Sequence, residues 1–334
     1  MMPTPLDPSR LTMTEIIRLQ TVLSQELTRR FERHVALAFT DIVQSTAYFA
    51  QFGDEAGRRL QQLHFDLLER CLPALDGRIV DTAGDGAFAC FASAHAAAST
   101  MVALQNRVSS ENENRPRAHQ LCLRIGLHCG QVLTDGVQVT GEAVNVCARL
   151  AATASPGEIR LTRELFQELD PVSRGVCRTL GSVALKGIAR SVEIFALQWR
   201  EPARFPGEVV VRETGQRIAL PPLDTVTFGR ADTQDATSAP DVALVLPDPM
   251  ACKQISRRQF ELRSRAPGYV LKALSAQPTE IDGVAVPRDQ EVPIRPGSWV
   301  RLAGVMTLDF VAASPAGITA IDETLCGPGV TANR

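Results

Sequence analysis

Two aspartates, an asparagine and an arginine carry the clearest chemical signal in this chain. Asp41 follows the short apolar run Val35-Ala-Leu-Ala-Phe39 and opens Asp41-Ile-Val-Gln-Ser-Thr46, which leads into a helical stretch reaching about Leu72. Asp85 lies in Asp81-Thr-Ala-Gly84-Asp85-Gly86, a tight hairpin turn between the strand Arg78-Ile-Val80 and the returning strand Ala87-Phe-Ala-Cys-Phe91. If the hairpin pairs beside the first strand, the two carboxylates converge on one point. Paired carboxylates suit Mg²⁺ or Mn²⁺, hard ions that take oxygen ligands and bind through one or two carboxylates plus substrate phosphates. The helix that opens after Asp41 offers free backbone N–H groups to a triphosphate. Taken singly, each aspartate has an ordinary explanation, Asp41 as a helix cap and Asp85 as a turn residue. Asn145 and Arg149 are four residues apart, so on a helix both point from one face. A polar face turned to water would look the same.

The elements around these residues give a coarse fold. After the hairpin come an alanine-rich helix from about Ala94 to Val108, a polar loop from Ser109 to Pro116, the strand Leu121–Leu127, and a helix from Gly141 to Ala151. This order predicts an α+β domain, an antiparallel sheet with helices on one face, related to the βαββαβ arrangement. Residues 1–34 form a leader whose Ile16, Ile17, Leu19, Val22, Leu23, Leu27 and Phe31 recur at helical spacing, with Thr12 or Thr14 as cap. That stripe either packs on the next domain or meets a second chain. The first domain spans 35–199. A Pro- and Gly-marked linker fills 200–207, a β-rich segment follows over 208–312, and 313–334 is expected to be a disordered tail.

Several phrases of the first domain, taken together, resemble the ordered motif series of class III adenylyl and guanylyl cyclases. They are Phe39-Thr-Asp-Ile-Val-Gln-Ser-Thr46, Gly84-Asp-Gly-Ala-Phe88, Arg124-Ile-Gly-Leu-His128, Gly141-Glu-Ala-Val-Asn-Val-Cys-Ala-Arg149 and Leu185-Lys-Gly187. The resemblance covers residues 35–199 and implies a ferredoxin-like nucleotidyl cyclase fold. It makes Asp41 and Asp85 the ligands of two Mg²⁺ or Mn²⁺ ions per site, with the Ile42 carbonyl as a further contributor. It makes Asn145 and Arg149 the pair that orients the ribose and stabilises the transition state. Lys186 and Thr46 become substrate contacts. The implied reaction is intramolecular phosphoryl transfer, in which the ribose 3′-hydroxyl attacks the α-phosphorus and pyrophosphate departs. In the family the aspartates come from one subunit and the Asn/Arg pair from the other, so the resemblance also implies a homodimer.

Base choice departs from the pattern. Members that make cyclic AMP usually carry a lysine where this chain has Asp81, and an aspartate or threonine where it has Gln138. A carboxylate only accepts hydrogen bonds, and guanine offers N1–H and N2–H₂ donors, so Asp81 favours guanine. A glutamine amide can instead pair with the N6 and N1 edge of adenine. Family prevalence tips the expectation to ATP, with GTP as the alternative. A non-catalytic copy working as an adaptor is the third option.

In the β-rich half, short apolar runs separated by Pro, Gly and Asp clusters predict an all-β sandwich. Phe228-Gly-Arg230, Ile255-Ser-Arg-Arg-Gln259 and Ser275-Ala-Gln-Pro-Thr-Glu-Ile-Asp-Gly283 resemble the ordered motifs of forkhead-associated (FHA) domains. That resemblance implies a phosphothreonine-containing protein as partner, gripped by Arg230, Ser256 and Arg257, with Gln277 near the peptide backbone. Two positions depart from the pattern. Gln259 replaces a structural histidine, and Gln277-Pro278 stands where Asn-Gly is usual.

Bulk properties bound the rest. The 334 residues suit two domains, and a composition of 45% hydrophobic and 22% charged residues suits buried cores. A formal net charge of -2 gives no electrostatic case for nucleic acid. The eight cysteines lack the close pairs of zinc ribbons or redox motifs and fit small buried residues in a reducing cytoplasm. No stretch is apolar for long enough to predict a membrane span.

Overall fold

The computed structural model describes residue 9 and residues 11–231 and 239–312. The expected tail at 313–334 lies outside the described residues. Helix α1 (Met13–Phe31) begins at a capping box in which Thr12 accepts from the Glu15 amide and the Glu15 side chain accepts from the Thr12 amide. No residue of α1 is buried. Its apolar stripe, Ile16, Ile17, Val22, Leu23 and Leu27, stands in the open.

Strand β1 (Glu32–Ile42) forms the centre of an eight-stranded sheet. Around it lie β2 (Arg78–Ala83), β3 (Gly86–Phe91), β4 (Leu123–Thr134), β5 (Val139–Thr140), β6 (Ile159–Thr162), β7 (Cys177–Val183) and β8 (Val192–Leu197). The order is β2-β3-β1-β4-β6-β8-β7, with β5 paired to β4. The sheet is mixed rather than purely antiparallel, because β6 runs parallel to β4. One face packs on α2 (Ser45–Cys71) and α3 (Ala94–Asn112), joined by Ala36, Ala38, Leu67, Leu68, Met101 and Leu104.

The other face is not bare, which corrects the expectation of helices on one side only. Helix α4 (Glu142–Thr153) covers it, with Ala143 and Cys147 packed against Leu37, Phe88 and Val132. Two glycines on β4 make the approach possible. A Cβ at Gly126 would lie 2.5 Å from the Ala151 nitrogen, and one at Gly130 would lie 2.8 Å from the Ala143 Cβ. Short helices α5 (Arg163–Glu168) and α6 (Pro171–Gly175) precede β7.

The β-rich half contains two facing sheets. One has the order β10-β9-β19-β18-β15-β16, from β9 (Pro206–Val211), β10 (Arg217–Ala219), β15 (Thr279–Ile281), β16 (Val284–Ala285), β18 (Trp299–Leu302) and β19 (Met306–Ala312). The other is β12-β11-β13-β14-β17, from β11 (Thr225–Arg230), β12 (Val242–Leu244), β13 (Phe260–Arg265), β14 (Gly268–Ala273) and β17 (Glu291–Ile294). Phe228, Phe260 and Phe310 are fully buried between them, with Phe228 stacked on Phe260 at 4.4 Å. A six-residue helix α7 (Pro249–Gln254), which the sequence pattern does not announce, leads into Ile255.

The two halves join through a buried polar cluster. Asp224 accepts from Ser109 Oγ at 2.6 Å, from Asn112 Nδ2 at 2.6 Å and from Arg200 Nη2 at 2.5 Å. The Arg200 guanidinium lies over Trp199 at 4.3 Å and Phe205 at 4.8 Å. This explains two departures from expectation. Ser109 to Asn112 continue helix α3 instead of forming a loop, because their polar side chains are satisfied by the second half. The 200–207 segment starts as a packed corner, with Arg200 only 8% exposed, rather than as a tether.

Candidate active site

Asp41 and Asp85 come to the same end of one ladder. β1 pairs with β3 through Phe39–Phe88 and Thr40–Ala87, so Asp41 and Asp85 follow directly, with Gly86 between. Alternation along β1 turns Thr40 and Ile42 into the core under α2 and α3 and leaves Asp41 on the α4 face. Asp85 is half-buried in the two-residue turn Gly84-Asp85, where Gly84 takes a φ of 62°. Asp81 and Thr82 belong to strand β2 and not to the turn, a correction to the wider hairpin loop expected.

Two further residues fix this strand end. Arg124 sits directly across from Asp41 in the β1–β4 register, and its Nε and Nη2 both donate to Asp41 Oδ2, the former at 2.7 Å. Oδ1 takes no bond from Arg124, so the carboxylate is held in one orientation with an oxygen to spare. His64, wholly buried on α2, bridges the two aspartate segments. Its Nδ1 is 3.1 Å from the Asp85 carbonyl and its Nε2 is 2.9 Å from Thr40 Oγ1. A carbonyl only accepts, so Nδ1 carries the proton and Nε2 accepts from the Thr40 hydroxyl. Burial lowers the His64 pKa to about 4, against the opposing pull of the Asp85 carbonyl and charge, which keeps the ring neutral.

A cleft of about 640 Å³ opens beside Asp41 and is lined by Phe88, Val139, Val144 and Ala148 together with Asp81 and Gln138. Asp81 Oδ1 accepts from the Thr82 amide at 2.8 Å. Gln138 rides on a braced turn, since Asp135 Oδ1 accepts from the amides of Val137 and Gln138 at 2.8 Å each. Those bonds hold the Asp135 carboxyl below its usual range. Arg78 Nη1 donates to the Val137 carbonyl at 3.1 Å and ties the turn to β2.

Asn145 and Arg149 stand exposed on the outer face of α4, while Val146, Cys147, Leu150 and Ala151 bury its inner face. Thr46 is exposed on the first turn of α2, whose N-cap Gln44 has a left-handed φ of 58° and makes no side-chain cap bond. Lys186 is exposed in the loop between β7 and β8. Within a single chain, then, Asp41, Asp81 and Gln138 line one cleft with Asp85 at its end, whereas Asn145, Arg149 and Lys186 point to solvent.

The adenylate and guanylate cyclase catalytic domain model matches residues 28–198, just over half of the chain. The chain belongs to this family. A putative adenylate cyclase 3 of Rhizobium meliloti is 27% identical over 169 residues, covering 49% of this chain and 28% of the relative. A serine/threonine-protein kinase, pkn2, of Myxococcus xanthus is 26% identical over 191 residues, covering 57% of this chain and 23% of the relative. The chain thus spans about a quarter of the length of these curated relatives. An adenylate/guanylate cyclase/hydrolase structure from Silicibacter pomeroyi shares 25% identity at a TM-score of 0.44, over 50% of this chain and 96% of its own.

Beyond the cyclase domain, the loops expected to grip phosphate are tightly interlocked. Arg230 Nε donates to the Ile255 carbonyl at 3.2 Å, and Ser256 Oγ is 2.6 Å from Ser275 Oγ. Arg257 is exposed, and its carbonyl passes so close over Gly229 that a Cβ there would collide with it. Gln277 is exposed at the opposite loop and takes its amide bond to Ser275 Oγ at 3.0 Å. Gln259, at the position of the expected structural histidine, is fully buried. Its Oε1 accepts from the Ser256 amide at 2.9 Å, and its Nε2 donates to the Gln277 carbonyl at 3.0 Å and to Thr279 Oγ1 at 3.1 Å. One amide therefore joins the Ser256 loop to the Gln277 loop.

Proposed function

We propose that the chain is a nucleotidyl cyclase that converts ATP to cyclic AMP and pyrophosphate in a homodimer. The observation that carries this reading is the strand end where Asp41 and Asp85 follow one ladder while Asn145 and Arg149 lie exposed on α4. The oxygen donors fit a hard divalent ion, because Asp41 Oδ1 is left over from the Arg124 pair and Asp85 is half-exposed in its turn. Two Mg²⁺ or Mn²⁺ ions held by Asp41, Asp85 and the Ile42 carbonyl would supply a more acidic 3′-hydroxyl and neutralise the leaving pyrophosphate.

The chain's own residues do the rest. Arg124 holds the Asp41 rotamer and His64 holds the Asp85 turn against β1. The first-turn amides of α2 and the Thr46 hydroxyl receive phosphate oxygens, with Lys186 as a further phosphate contact. Asn145 orients the ribose, and Arg149 sets positive charge where negative charge grows on the phosphoryl oxygens. In one chain the α4 pair faces solvent, so a second copy completes the site. The open stripe of α1 supports the same reading, since a second α1 would cover it.

GTP is a second reading, and one observation favours it. Asp81 lies in the cleft with only Oδ1 engaged by Thr82, which leaves Oδ2 to accept from guanine donors. Incubation of purified protein with Mn²⁺ and either nucleotide, with the cyclic product identified by mass, decides between them. Cyclic AMP from ATP is expected, and absence of any cyclic product overturns the cyclase reading.

For the β-rich half the proposal is an FHA-type sandwich in which Arg230, Ser256 and Arg257 bind a phosphothreonine, with Gln277 at the peptide backbone. The interlocked loops support it, because Gln259 supplies the tether that a histidine would otherwise give. Saturable binding of a phosphothreonine peptide, lost in Arg230→Ala, is the expected result. An adaptor without turnover would show that binding and no cyclic product.

A further inference from the structure

At the end of β1 remote from Asp41, three side chains from three elements converge. His34 on β1, Cys129 on β4 and Glu168 at the end of α5 offer ligand atoms that all lie within 4.8 Å of one another. The register explains the first two. Cys129 pairs with Ala36 and His34 pairs with Gln131, so His34 and Cys129 are diagonal neighbours on one face of adjacent strands. Helix α5 packs on that face and brings Glu168 over them, with Glu168 Oε1 2.6 Å from His34 Nε2 and its carboxylate against the Cys129 thiol. Cys129 is 2% exposed, while the side chains of His34 and Glu168 are 47% and 39% exposed. The cluster is a sulfur floor beneath a solvent-open nitrogen and oxygen rim.

An imidazole nitrogen, a thiolate sulfur and a carboxylate oxygen form a borderline-soft donor set. Such a set selects zinc-like ions over Mg²⁺ or Ca²⁺, and three protein donors with one position left for water is a recurrent zinc arrangement. We propose that His34, Cys129 and Glu168 form a binding site for a zinc-type divalent ion, separate from the carboxylate site at the other end of β1. Metal–ligand bonds of about 2.0–2.3 Å set tetrahedral donors roughly 3.5 Å apart, a contraction within reach of the exposed His34 and Glu168 side chains. On binding, the Cys129 thiol gives its proton to solvent, and the His34 Nε2 proton that bonds Glu168 passes to Nδ1 or to solvent, which frees the Nε2 lone pair and the carboxylate for the ion. The ion would pin the first residues of β1, immediately after α1, to β4 and α5.

Cobalt provides a test that the carboxylate site cannot imitate, because only a thiolate ligand gives a near-ultraviolet sulfur-to-Co²⁺ charge-transfer band. Full-length protein freed of metal by chelator is titrated with Co²⁺ and then with Zn²⁺. The expected result is a charge-transfer band saturating at about one equivalent per chain and erased by Zn²⁺. It should persist in the Asp41→Asn/Asp85→Asn protein, vanish in Cys129→Ser, and need at least about tenfold more Co²⁺ in Glu168→Gln. Glu168 lies at the exposed rim, so that variant keeps its fold even if the core substitution at Cys129 does not. Absence of the band in the wild type, or an unchanged titration in Glu168→Gln, would overturn the proposal.

Discussion

The polar groups of the cyclase sheet and those of the β-sandwich are in opposite states. On α4, Asn145 and Arg149 are exposed, Asp85 is half-buried in the β2–β3 turn, and of the two aspartates Asp41 is ion-paired with Arg124. In the sandwich, Ser256, Gln259, Ser275 and Thr279 are bonded to one another before any ligand arrives. The first arrangement ties up few of its key side chains, which on the proposed reading leaves them for a substrate and a second copy. The second is bonded in advance, so its polar residues hold the fold and, on the proposed reading, a recognition surface at once. Substitutions in the two regions should therefore fail in different ways.

The largest expected effect is in the cyclase domain. Asp85→Ala should lower turnover by at least about 10³-fold, the scale of losing a principal stabiliser of developing charge, with the melting temperature unchanged. A large drop in melting temperature would place Asp85 in the structural class instead. Next comes the junction. Asp224→Ala strands the buried Arg200, whose Nε already lacks a partner, and should destabilise the protein by about 3–4 kcal/mol in denaturant melts. An effect below about 1 kcal/mol would mean that the two halves do not depend on this cluster.

His64 sits between the two regimes, buried yet serving the open site. Its folded pKa of about 4 lies below the ordinary 6.5, so its contribution is full above pH 6.5 and is lost as the pH falls from 6.5 to about 4. That span corresponds to roughly 3 kcal/mol, and a His64→Gln protein should lose this part of the acid sensitivity in pH-dependent unfolding. Equal slopes in the two proteins would remove His64 from the account. The smallest effect belongs to Gln259→Ala, which should destabilise by about 2 kcal/mol and loosen phosphopeptide binding together, as expected when one amide tethers two loops. Loss of binding with stability intact would make Gln259 a direct ligand contact.

How much of this was legible beforehand varies by residue. The strand that ends at Asp41, the hairpin at Asp85 and the polar face of α4 follow from period-two and period-3.6 patterns in residues that obey their neighbours. The continuation of α3 through Asn112 was hidden, because Ser109 and Asn112 look like loop residues until Asp224, more than a hundred positions away, satisfies them. The second helical face of the sheet was hidden for the same reason, as Gly126 and Gly130 signal close approach only once α4 is known to lie over them. His64 did leave a trace, a polar residue at a core position among Leu60, Leu67, Leu68 and Cys71 on α2. Arg124 was visible as part of a motif, but its pairing with Asp41 needed the register of β1 against β4.

Subunit complementation shows whether one active site draws on two chains. Asp85→Ala and Asn145→Ala proteins, each inactive alone, are mixed under conditions that exchange subunits, and cyclic nucleotide formation is measured on the mixed dimers. Because a mixed dimer has one site with both aspartates facing an intact α4 pair, activity should return to a sizeable fraction of the wild type. Mixed dimers that form and stay silent would contradict a site shared between two chains.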